Sequence, residues 1–232
     1  MPVSTDARDG DDAARPAPDR PAWRPVALFG LAIVAVLVIA VLAGSLVGST
    51  PTPDADSVDV GFAQDMSVHH RQAVEMAAWE RDNTRDPALK QLAYDIESTQ
   101  NQQVGRMQGW LGLWEMPPLP TGTHMAWMAD DPSMAGHSGM DASGGMDRMP
   151  GMATSDDLRR LRTTTGPAMD VVFLQLMLRH HQGGVGMLQY GRAHAEISEV
   201  RNLADQMLTS QSVETRLMQT LLARRGAKPL PF

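Results

Sequence analysis

The sequence predicts an all-α fold: a four-helix bundle built from two copies of one helical hairpin, preceded by an N-terminal transmembrane helix. Three observations predict it. Residues 59–111 align with 170–222 at a constant offset of 111, without a gap and with 16 identities in 53 positions. Unrelated segments agree at about 6% of positions, so the offset marks a duplication. Each copy holds two stretches whose apolar residues recur every three or four positions, the stripe of a helix face, while strand-like alternation is nearly absent. Finally, residues 26–48, VALFGLAIVAVLVIAVLAGSLVG, carry no charge, and about 20 apolar residues span a bilayer as a helix.

Taken in order, residues 1–25 are rich in Asp, Arg, Ala and Pro, the composition of a disordered tail. The apolar run 26–48 exceeds the roughly 7–15 residues of a cleaved signal core, so a retained single-pass anchor is expected. Arg20 and Arg24 precede it and Asp54, Asp56 and Asp59 follow it. That polarity leaves the N-terminus in the cytoplasm and the bundle, 57–225, outside, at the cell membrane. The chain has no cysteine. A lipid-anchored cysteine, disulfides and thiolate ligands are therefore all excluded, and the core must come from packing. The tail accounts for −1 of the net charge of −7, and a mildly acidic bundle argues against nucleic acid as a partner.

Helix one is expected over about 57–82, with Phe62, Met66, His69, Ala73 and Met76 on one stripe. Asp86 and Pro87 supply the cap and first position of helix two, whose stripe runs Leu89, Leu92, Ala93, Ile96, Val104, Met107 and Leu111 until Pro117 and Pro118 end it. Ser155 and the acids after it predict a short extra helix. Gly166 and Pro167 open helix three, with Phe173, Met177, His180, Gly184 and Met187 inward. Helix four spans about 197–224, burying Val200, Leu203, Met207, Leu217 and Leu221. Two amphipathic hairpins bury their stripes by forming one bundle.

The segment 117–153 joins the halves. Its central part, 124–152, holds seven methionines, two histidines, five glycines and two prolines. So much glycine and proline predicts a mobile linker with no core of its own, whose removal leaves stability nearly unchanged.

Four of the seven histidines stand in two adjacent pairs, His69–His70 and His180–His181, at matching positions of the repeat. Adjacent helical residues point about 100° apart, so His69 and His180 face the core and His70 and His181 flank it. Met66 and Met76, and likewise Met177 and Met187, lie one turn or so to either side. Each copy thus presents a Met–His–His–Met set, and packing helix one on helix three brings the sets together. Interior histidines with methionine as core filler are the plainer account. Two matched pairs of expensive polar groups favour a shared metal site instead. Imidazole with thioether, and no thiolate, selects a soft ion, above all Cu(I). In the linker, His124, Met125, Met128 and His137, with further spaced methionines, read as a flexible store for the same ion.

Enzymatic signatures are missing. There is no Glu-x-x-His motif for a di-iron bundle, no phosphate loop and no Ser/His/Asp set. The expectation is a binder rather than an enzyme. A metal-dependent oxidoreductase on the same bundle and a metal-free module docking a partner protein are the alternatives.

The stretches DVGFAQDMSVHHRQAVEMA and DVVFLQLMLRHHQGGVGML, with Asp, Phe, Met, His-His and Met in each, resemble the two signature helices of the DUF305 family. The lead-in DDLRRLRTTTGPAMD is similar to that family as well. The resemblance covers about residues 57–225. It implies a ferritin-like four-helix bundle, exported or membrane-anchored, and its CopM-like copper-binding members imply a role in copper tolerance, with a copper-handling protein as a partner. By that likeness Met66, His69, His70, Met76, Met177, His180, His181 and Met187 are the ligand positions. Gly186 stands where the first copy has Glu75, a departure that sets the two halves apart.

Overall fold

The computed structural model describes residues 23–47, 52–131 and 145–231, and within the first of these only the side chains of 29–42 and 44. The chain divides into two units, Met1–Pro51 and Thr52–Phe232. In the first, helix α1 runs Trp23–Val47, close to the expected 26–48, and its described apolar side chains from Phe29 to Leu42 are exposed on every face. Among the described residues, however, no helix is long and apolar enough to cross a membrane. The tail 1–22 and the side chains at both ends of the expected span lie outside the described residues.

Among the described residues the second unit has four long helices, one short one and a single 3-10 turn, Ala126–Met128. Helix α2 (Val58–Asn83) starts where Ser57 Oγ accepts the Val60 amide. Helix α3 (Pro87–Leu113) starts at Asp86, whose Oδ1 accepts the Ala88 and Leu89 amides, with Pro87 at the position that needs no N–H. It ends at Leu113, short of Pro117, with Glu115 turning into the left-handed region at φ 57°. The short helix α4 (Ser155–Thr163) is capped by Thr154 rather than Ser155, through a reciprocal box with Asp157. Helices α5 (Pro167–His194) and α6 (Ser198–Arg224) complete the set. Two stripe positions are corrected. Leu217 is 44% exposed while its neighbour Met218 is fully buried, and Val104 is only half-buried.

Helices α2 and α3 form one hairpin, α5 and α6 the other, and α2 packs on α5. The repeat's conserved-in-both-copies aspartates tie the hairpins together. Asp59, at the start of α2, accepts the Glu196 and Ile197 amides at 2.9 Å each, so it serves the N-terminus of α6 rather than its own helix. Asp170, its counterpart on α5, accepts the Thr84 hydroxyl at 2.9 Å, just ahead of α3. The end of each central helix therefore meets the start of the other, and α2 and α5 run antiparallel.

The segment between the halves is not the coreless linker its composition predicts. Met125, Met128, Met146 and Met149 are 0–5% exposed and join the apolar cluster of Phe62, Met66, Met107, Met187 and Met207. The physical reason is a buried anchor. Asp65 takes the His124 Nδ1 proton at 2.5 Å, the Met125 amide at 2.7 Å and the Trp127 indole N–H at 2.8 Å. His124 and Met146 exchange backbone hydrogen bonds, and Gln72 holds Ala153 by both its N–H and its carbonyl. A Cβ on Gly183 would stand 2.2 Å from the Pro150 carbonyl oxygen, so only glycine lets this strap cross α5 so closely. Residues 132–144, including His137, Met134 and Met140, lie outside the described residues. We expect Asp65→Asn, which keeps the volume but not two ionised acceptor oxygens, to cost about 1–3 kcal/mol. Denaturant melts of variant and parent check this, and equal midpoints refute the anchor.

Candidate metal centre

Both histidine pairs sit at the middle of the α2–α5 contact. All four rings are 0–1% exposed, so the flanking members are as deeply buried as the inward ones. His69 and His180 stack on each other, centroids 3.7 Å apart and planes inclined by 34°. His70 turns towards α3 and His181 towards α6. There His70 Nε2 lies 2.8 Å from Gln103 Oε1, and His181 Nε2 lies 2.6 Å from Glu214 Oε2. Gln103 and Glu214 occupy the same place in the repeat, each 33 residues beyond its histidine. The stacked pair is held differently. His180 Nε2 donates to the His69 carbonyl at 3.1 Å, while His69 Nε2 faces the strap's Pro150 carbonyl at 3.4 Å.

Thioethers bracket this layer. Met66 and Met187 lie in the apolar cluster on one side, Met76 and Met177 in the cluster on the other, all 0–1% exposed. The two sets do come together, antiparallel, so each end of the layer receives one methionine from each copy. Met125 and Met128 join the first cluster, and His124 is engaged by Asp65. That hydrogen bond holds the His124 imidazole above its ordinary range.

Burial holds three of the rings, His69, His70 and His180, in the neutral form. It pushes His69 and His70 down to about 3, aided for His69 by the adjacent His70 ring, and takes His180 well below its ordinary value. Depressed folded-state values mean that the stability these rings contribute is full above about 6.5 and is lost as pH falls towards 3. Neutral imidazoles are also the form that ligates metals.

The layer is short of partners. Nδ1 of His69, His70 and His181, and the Oε1 atoms of Gln100 and Gln211, are buried without a hydrogen bond. Each such atom costs about 1–3 kcal/mol, and native interiors hold few of them. Here five cluster in one layer, and Gln100 and Gln211 are again repeat counterparts. Among the described residues no three His, Asp or Glu side chains converge as a ready-made cage, so any ion must draw on the thioethers as well. The repeat identity of Gln100 and Gln211 and the 33-residue offset of Gln103 and Glu214 were signals present in the sequence. Asp65 offered none, since Leu176 stands at its counterpart.

Solved structures share the fold. A DUF305 protein of Streptomyces coelicolor is 43% identical, with 77% of this chain and 100% of that one covered at a TM-score of 0.68. A DUF305 fragment from Deinococcus radiodurans is 30% identical, covering 75% and 99% at 0.58. CopM in its Cu(I)-bound form is 25% identical, covering 72% and 96% at 0.53. CopM has also been solved in Cu(II)-bound and Ag-bound forms. No curated protein matches the chain. The model of the family described as a domain of unknown function, DUF305, matches residues 59–222. With its duplicated signature helices, its helical bundle and these relatives, the chain belongs to the DUF305 family.

Proposed function

We propose that this protein binds copper, Cu(I) above all, in the His–Met layer between α2 and α5, as a sequestering or delivering protein rather than an enzyme. The observation that carries the reading is the set of buried, partnerless imidazole nitrogens flanked by four buried thioethers. Soft thioethers beside the imidazoles favour Cu(I) over a hard cation. The copper- and silver-bound forms of CopM support it from a relative. The test is competition for Cu(I) with a chromogenic chelator. The parent removes copper from the chelator, whereas a His69/His70/His180/His181→Ala variant, checked for helicity by circular dichroism, does not. Equal competition by the two proteins refutes the site.

The bundle is further read as extracytoplasmic, tethered by residues 26–48 with the N-terminus in the cytoplasm. Support comes from the uncharged run, with Arg20 and Arg24 before it and Asp54, Asp56 and Asp59 after it. Set against it is the finding that no described helix is long and apolar enough to cross. Release of the protein from membranes by alkaline carbonate refutes the tether.

A further inference from the structure

The Nε2 atoms of the layer are already committed, and their partners decide where each ring keeps its proton. His181 faces a carboxylate oxygen, and His180 and His69 face backbone carbonyls. An oxygen of either kind only accepts, so in each case Nε2 carries the hydrogen and the lone pair of the neutral ring is on Nδ1. His70 faces the Gln103 amide oxygen. The register-matched Glu214 can only accept, and it fixes the sense in which this repeat position is used. Nδ1 of His69, His70 and His181 is accordingly a buried lone pair with nothing to accept from.

The two halves are not equal in this respect. Glu214 carries a negative charge where Gln103 is neutral, and its contact is the shorter, 2.6 Å against 2.8 Å. A carboxylate accepting the distal N–H of an imidazole orients the ring and raises the basicity of its other nitrogen, and it offsets the charge of a cation there. An amide does the first of these but not the others.

We propose that the layer holds its ions through Nδ1, and that Glu214, as a positioning residue, makes His181 the strongest donor, so that the first equivalent goes to the α5–α6 half. The inference rests on the copper reading above and adds the ligating atom and the order of filling. Gln103 fits the same position in the other hairpin, so Glu214→Gln is expected to leave the bundle intact.

The experiment uses the full chain in detergent micelles with 15N-labelled histidine. Two-bond nitrogen–proton NMR correlations of the metal-free protein show all four rings protonated at Nε2. On addition of Ag(I), a diamagnetic soft ion, the His181 Nδ1 resonance moves first. Glu214→Gln weakens the first Cu(I) equivalent by about 10–100-fold, and Gln103→Glu strengthens His70 so that two equivalents bind alike. A His181 ring protonated at Nδ1, a first response at Nε2, or a folded Glu214→Gln chain as tight as the parent overturns the proposal alone. Silence of all four rings towards Ag(I), with no competition for Cu(I), overturns the copper reading as well.

Discussion

Replacing residues 124–152 by a glycine–serine chain of equal length lowers the melting temperature by more than about 10 °C. The swap keeps the length between the halves, so loop-closure entropy does not enter the comparison. It removes the buried side chains of Met125, Met128, Met146 and Met149. Full burial of such a side chain contributes about 1.5–3 kcal/mol, an upper estimate because the unfolded chain is itself partly collapsed. It also strips Asp65 of two side-chain donors, His124 and Trp127, and of the packing that holds the residue-125 amide against it. In a unit of this size, 1 kcal/mol moves the midpoint by about 2–4 °C. Calorimetry of the two chains without metal checks the figure. A shift of a degree or two restores the picture of a passive linker.

The second large effect is a loss of stability as pH rises, and it comes from Glu80. This side chain is fully buried and neither carboxyl oxygen meets a donor. The group beside it is Asp170, itself an acceptor, with Asp86 and Arg225 further around the site. Burial, reinforced by the Asp170 charge, pushes Glu80 up to about 8. The folded state therefore keeps a proton that the unfolded chain gives up above about 4.5. The contribution is full below that value, declines with rising pH, and is lost above about 8. A shift of this width corresponds to on the order of 5 kcal/mol. Glu80→Gln, whose amide donates to Asp170 at any pH, gains on the parent steadily between about pH 5 and 8 and levels off above that. The buried histidines contribute the opposite trend at acid pH, but equally to both proteins. Parallel stability curves across that range remove Glu80 from the account.

Local order and pairing in the sequence were readable wherever one residue's neighbours decide them. The start of α3 follows from Asp86 as cap and that of α5 from Pro167 at its first position, and the 111-residue offset alone pairs the histidines. The interior of the connecting segment was not readable, because its order depends on Asp65, a single residue 59 positions from His124 with no repeat counterpart. Composition alone described it as loose. That the flanking His70 and His181 are buried as deeply as the inward pair was not readable for a related reason. Helical periodicity specifies a direction, and the outer hairpin helices, by supplying Gln103 and Glu214, turned that direction into more interior.

Sealing four imidazoles at 0–1% exposure sets a rate as well as an affinity. No ion reaches those nitrogens by diffusion alone. Under the copper binding proposed above, uptake waits for the strap or a hairpin to part, so the association rate levels off at the opening frequency however concentrated the ion becomes. The same closure slows escape. On that proposal, bound ion leaves on the timescale of the bundle's own breathing, and a recipient that pries the bundle open would collect it far sooner than one that waits in solution.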